Sequence, residues 1–126
     1  MSEETALAPA SAEDRFEDVL RALANDRKLA AIAKAFREQQ TRGASNKFGS
    51  NALKVNGKIF AMLVRGRLVV KLSKDRAGDL VKSGDGAHFD PGHGRLMKQW
   101  IVIENDALSW IDLVREAHAF TAGTGR

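Results

Sequence analysis

Cysteine and tyrosine are absent from the 126 residues, and proline occurs only twice. Without cysteine there is no disulfide, no thiolate metal site and no thiol nucleophile. With no Tyr, six Phe and two Trp, aromatic platforms for stacking nucleotide bases are sparse. No apolar run reaches the roughly 20 residues needed to cross a bilayer. The start, Met1-Ser2-Glu3-Glu4, is acidic and lacks the basic n-region of a secretory signal. A soluble, cytoplasmic protein without a membrane partner is the expectation. What is present is an ordinary globular composition, 44% hydrophobic and 29% charged, at a length that suits one core.

Charge is unevenly placed. Residues 1–40 carry a net −2 and residues 104–126 another −2, whereas residues 41–103 hold twelve basic against four acidic side chains, net +8. A concentrated positive field attracts nucleic acid, an anionic ligand or an acidic protein surface. A solvated basic face with no partner is the plain alternative.

The pattern along the chain predicts one domain over residues 11–121, between a loose 1–10 tail and a flexible 122–126 tail. Ser11 followed by Asp14 resembles a capping box. Phe16, Val19, Leu20 and Leu23 then repeat at helical spacing. Asn25-Asp26 breaks the helix, and Leu29, Ile32, Ala33 and Phe36 start a second one running to about Glu38. Residues 41–50 read as loop. Strand periodicity follows: Ala52–Val55, the turn Asn56-Gly57, Lys58–Val64, the turn Arg65-Gly66, and Arg67–Leu72. Ser73 caps a short helix to about Val81, Gly84–Gly94 reads as loop, Met97–Ile103 is a fourth strand, and Asp106 caps a last helix. The order α-α-β-β-β-α-β-α predicts an α+β fold whose mainly antiparallel sheet, four-stranded or slightly larger, packs with helices.

Tight turns set the register, and register decides which side chains share a face. Regular alternation places Ile59, Ala61, Leu63, Leu68, Val70 and Leu72 on one face. Leu53, Val55, Phe60, Met62, Val64 and Val69 fall on the other, rimmed by Lys58, Arg67 and Lys71. Both faces are too apolar to stand bare in water. Helices on both sides are the first expectation for covering them, and a homodimer or other protein contact through Phe60, Met62, Val64 and Val69 is the second.

The signals for chemistry are thin. His88, Asp90 and His93 have an H-x-D-x-x-H spacing that suits zinc or iron, but no fourth ligand is evident, and hydrogen-bonding histidines explain them as well. Gly92, Gly94 and Arg95 offer a backbone cradle for an anion without matching a phosphate-binding fingerprint. Ser45, Ser50, Ser73 and His118 with nearby acids lack any nucleophile-elbow sequence. The expectation is no catalytic residue, no metal and no cofactor, so no enzyme.

Lys47-Phe48-Gly49-Ser50, Leu53-Lys54-Val55-Asn56-Gly57-Lys58-Ile59-Phe60-Ala61 and Arg67-Leu68-Val69-Val70-Lys71-Leu72 together resemble the TfoX/Sxy N-terminal-domain family. Phe89-Asp90-Pro91 and Met97-Lys98-Gln99-Trp100 are similar to its second half, with Trp where Tyr is common. The likeness spans about residues 45–120, and in outline it extends to small domains of the MmcQ/YjbR type, often labelled DNA-binding. It implies a regulatory domain of the kind that acts in transcription of DNA-uptake genes. Joined to the charge pattern, it makes Lys54, Lys58, Arg67, Lys71, Arg95 and Lys98 the candidate phosphate contacts. The expected partner is then DNA or a transcription-regulatory protein.

Overall fold

The computed structural model describes residues 11–41, 52–90 and 97–123. Within these residues four helices, α1 (Ala12–Ala24), α2 (Ala30–Thr41), α3 (Lys74–Lys82) and α4 (Trp110–Gly123), accompany five strands. These are β1 (Ala52–Val55), β2 (Lys58–Val64), β3 (Arg67–Lys71), β4 (Gly86–Phe89) and β5 (Met97–Ile103). All strand pairs are antiparallel, in the spatial order β1-β2-β3-β5-β4. The α+β architecture is as the sequence predicts, with one strand more. The predicted tail 1–10 and the Phe48-Gly49 segment lie outside the described residues.

The helix starts follow capping chemistry. Ser11 Oγ accepts from the Asp14 N–H at 3.0 Å and Ser73 Oγ from the Arg76 N–H at 3.2 Å, each satisfying an orphan donor of a first turn. Glu13 and Asp14 at the start of α1 and Arg21 near its end also complement the helix dipole. The last helix begins later than Asp106 suggests. Asn105 Oδ1 holds the Ala107 N–H at 2.9 Å in a turn, and Ser109 Oγ accepts from the Asp112 N–H at 3.3 Å where α4 starts. The second helix continues past Glu38 to Thr41.

Both hairpin turns take the left-handed conformation that a two-residue type I′ loop requires. Asn56 and Gly57 have φ of 53° and 78°, and Arg65 and Gly66 have φ of 52° and 79°. Asparagine tolerates this region well, whereas arginine pays a steric penalty of roughly 1 kcal/mol there. Past the second turn, β2 and β3 pair in the predicted register, with Val64 opposite Arg67 and Met62 opposite Val69.

The first hairpin departs from regular alternation. Leu53 lies opposite Ala61 rather than Phe60, while Lys54 lies opposite Ile59 and Val55 opposite Lys58. Phe60 is the extra residue of a bulge, and it turns to the same side as Ala61. Leu53, Val55 and Phe60 therefore join the face predicted to hold Ala61 and Leu68, and Ile59 crosses to the other. Phe60 is fully buried, its ring edge-to-face with His118 at 5.3 Å between centroids.

The four helices of the described residues lie on this one side. Phe16, Leu23, Phe36, Ala77, Leu80, Leu113 and Val114 pack with Leu53, Phe60, Leu68, Val70, Leu72 and Ile101 in a single core. The opposite face has its own smaller apolar cluster, to which no helix residue contributes. Among the described residues the helices thus cover one face of the sheet, where helices on both were the first expectation. The reason is topological: each helix connects or flanks antiparallel strands and returns to the same side, where its apolar stripe finds a continuous partner.

The extra strand falls inside the glycine-rich run predicted as loop. Gly86 opposes Ile103 and is buried where α3 crosses the sheet. A Cβ built on Gly86 would lie 2.6 Å from Ile101 Cγ2 and 2.9 Å from the Val102 carbonyl oxygen, so this glycine serves close packing rather than flexibility. The backbone oxygen has nowhere to retreat without breaking the β4–β5 ladder. Gly86→Ala should therefore cost about 1–3 kcal/mol, read as a lower midpoint in urea with an unchanged slope.

Candidate functional site

All five strands together contain Lys54, Lys58, Arg67, Lys71 and Lys98 and not one carboxylate. The acids sit instead on the helices and their connections, where they neutralise helix cations. Arg21 pairs with Asp18 at 3.0 Å, Arg37 with Glu17 at 2.6 Å, Arg76 with Glu116 at 2.9 Å and Arg115 with Asp26 at 3.9 Å. The Arg37 guanidinium, hydrogen-bonded to the Glu17 carboxylate, holds that acid below its ordinary pKa. Among the described residues, none of the five strand cations has an ion-pair partner. The basic middle of the sequence thus becomes a sheet whose cations have no ion-pair partner among the described residues, beside a helix layer that holds the ion pairs.

Register assigns the strand cations to faces. By register Lys54 shares the helix-free face with Ile59 across β1–β2, at the sheet edge where it also borders α2 near Phe36 and Glu38; Arg67 shares the face with Val64 across β2–β3, and Lys71 with Trp100 across β3–β5. Lys54 and Lys71 flank β2 on its two sides, about 10 Å apart at the usual strand spacing. Arg67 and Lys71 are separated by about 13 Å along β3. Lys58, opposite Val55 at the hairpin end, stands instead at the rim of the helix-covered face. Lys98 is exposed on β5, in the stretch where its pairing with β4 is irregular. Arg95 lies outside the described residues.

Between these cations is the smaller apolar cluster. Met62, Val69, Ala52 and Phe89 are buried at its centre, with Ile59, Val64, Trp100 and Val102 half-buried around them. Of the four residues expected to form a contact, Met62, Val64 and Val69 do share this face. Phe60 does not, because the bulge sends it into the helix-side core. Ile59, Trp100 and Val102 take its place; Trp100 was legible only as a strand residue, since its face depends on the β3–β5 pairing.

The histidines separate. His88 lies opposite Ile101, a residue of the helix-side core, and its Nδ1 is buried without a hydrogen-bond partner. Asp90 is exposed just beyond β4, and His93 lies outside the described residues. Among the described residues no group of three His, Asp or Glu side chains could hold a metal ion. His118 packs on Phe60, and burial pushes its pKa below the usual 6.5 although the Asp26 carboxylate opposes this. Because the folded value is the lower one, His118 contributes stability above pH 6.5 that is lost as pH falls through the folded pKa. Thermal melts should show the domain less stable at pH 5 than at pH 7, with the difference reduced in His118→Gln.

Asp85 plays a structural part at the other end of the sheet. Its Oδ1 accepts from the Asn105 side-chain amide at 2.8 Å and its Oδ2 from the Ser83 hydroxyl at 2.7 Å. These hydrogen bonds, Asn105 first, lower its pKa and tie the end of α3 to the exit of β5.

No family model, curated protein or solved structure matches this chain. The reading of the site therefore rests on its own geometry. Among the described residues no helix is long and apolar enough to cross a membrane.

Proposed function

We propose that the protein is a non-enzymatic regulatory module, of the TfoX N-terminal type, that engages DNA through the helix-free face of its sheet. One observation carries this reading: strands that hold five cations and no carboxylate, with Lys54, Arg67 and Lys71 on the same face and without ion-pair partners among the described residues. Phosphate oxygens are the natural complement of such a grid, and each neutralised phosphate releases a counterion. The half-buried Ile59, Val64 and, beside Lys71, Trp100 would add apolar contact to the sugars.

Fluorescence anisotropy of a labelled duplex tests it. Binding should be evident at low salt and weaken steeply as salt is raised. Absence of binding at low salt would reject the DNA reading.

The apolar cluster favours a second reading, a homodimer or regulatory-protein contact through Val64, Ile59, Trp100 and Val102 around Met62 and Val69. Light scattering after size exclusion separates the two. A dimer that dissociates on Val64→Asp supports the protein contact, and a monomer that binds the duplex supports the first reading.

A further inference from the structure

A cleft of about 760 Å³ opens at the end of the sheet, beside the β2–β3 turn. Its walls come from three places far apart in sequence: the first turns of α1, the β2–β3 turn and the start of α4. Arg15, Arg65 and Arg67 line it, with Asp18 and Asp106, and Trp110 forms part of its floor. Asp18 is already engaged by Arg21 at 3.0 Å, so the guanidinium groups outweigh the free carboxylate.

One of the arginines is held in place before any ligand arrives. The Arg15 guanidinium lies 4.3 Å over the centroid of the Trp110 ring, and its Nη2 donates to the Leu108 carbonyl at 3.1 Å. That single hydrogen bond leaves most of its five N–H donors unused. Arg65 occupies the first position of the β2–β3 turn, with its backbone at φ 52°. The same molecule supplies the comparison: its other type I′ turn uses Asn56, the residue this conformation favours, and that turn does not line this cleft. The turn that faces the cleft carries the less comfortable arginine.

From this convergence we infer that the cleft binds a phosphomonoester. Guanidinium forks recognise a tetrahedral dianion through paired N–H donors. The volume is that of a small-molecule site, large enough for a mononucleotide. The phosphate could belong to a free nucleotide or to the terminus of a nucleic acid, and the chemistry is the same in both. The inference does not depend on the sheet face, since Arg15 and Arg65 lie outside it.

The test is titration of the protein with inorganic phosphate, adenosine 5′-monophosphate and adenosine, followed by amide and indole NMR shifts. Phosphate and the monophosphate should move the signals of Arg65, Gly66 and Trp110, and adenosine should not. Arg65→Asn, which suits the turn and keeps the fold, should weaken the monophosphate by about tenfold or more. Lys54→Gln combined with Lys71→Gln should leave it unchanged. A 5′-phosphorylated oligonucleotide that outbinds its 5′-hydroxyl form only when Arg65 is present would identify a nucleic-acid terminus as the source. Shifts by the monophosphate without that difference would identify the free nucleotide. No shift with either phosphate probe, equal affinity in Arg65→Asn, or loss of binding in the Lys54/Lys71 variant would overturn the assignment.

Discussion

Phe60→Ala should lower the melting temperature by about 10–25 °C, the largest effect of any single truncation considered for this domain. Phe60 is completely buried at the contact between β2 and α4, against the edge of His118. Truncating a buried phenylalanine costs about 3–5 kcal/mol, because the lost transfer energy is joined by a cavity the neighbours fill only in part. A domain of this size has about 5–15 kcal/mol of total stability, so the variant sits close to unfolding. The result also discriminates between two geometries. Under unbroken alternation Phe60 would stand beside Met62 in the smaller cluster, and Ile59 would take its place in the helix-side core. Ile59→Ala, on the half-buried side of the same strand, should cost far less than Phe60→Ala. A reversed order would mean that the bulge is absent and that the cluster on the helix-free face contains Phe60 after all.

That bulge shows where sequence reading reaches its limit. Lys-Ile-Phe-Ala-Met is apolar at every position after the first, so the alternation that normally reveals a face shift carries no signal across Ile59-Phe60-Ala61. Where a local rule leaves one answer, the reading succeeds. Asn56-Gly57 and Arg65-Gly66 require positive φ and adopt it, and Ser11 and Ser73 cap the helices they precede. The short strand Gly86–Phe89 was hidden because two of its neighbours in sequence are glycines and its single buried glycine owes its identity to Ile101 and Val102, residues that only the folded sheet brings close. The candidate site was legible as a list of cations but not as a surface. Lys54, Arg67 and Lys71 belong to one face through three separate strand pairings, whereas Lys58, which the same charge count would include, is carried to the other rim by one extra residue. The helix-layer pairs Arg37–Glu17 and Arg76–Glu116 link residues 20 and 40 apart in sequence. No composition window could say that those arginines are spoken for while the strand lysines are not.

Replacing Lys54, Arg67 and Lys71 together by Gln should remove most of the salt dependence of DNA binding. Three phosphate contacts give log–log dependence of the association constant on salt with a slope near −2.7, about 0.9 per contact. Between roughly 50 and 200 mM salt this amounts to about a fortyfold loss of affinity in the parent protein. The triple variant should bind weakly at every salt concentration, with a slope close to zero. Each single replacement should lower the slope by about 0.9, because a phosphate contact acts largely as an independent charge. The three side chains are exposed or half-buried and have no ion-pair partner among the described residues, so their removal leaves no stranded carboxylate and the melting temperature should move little. Arg76→Gln is the informative control. It also removes one positive charge, but from a pair with Glu116 at 2.9 Å on the helix side, and it should leave the slope where it was. If Arg76→Gln lowers the slope as much as Lys71→Gln does, DNA responds to the overall charge of the protein and not to a face of its sheet. Equal slopes for parent and triple variant would remove the sheet face from the contact altogether.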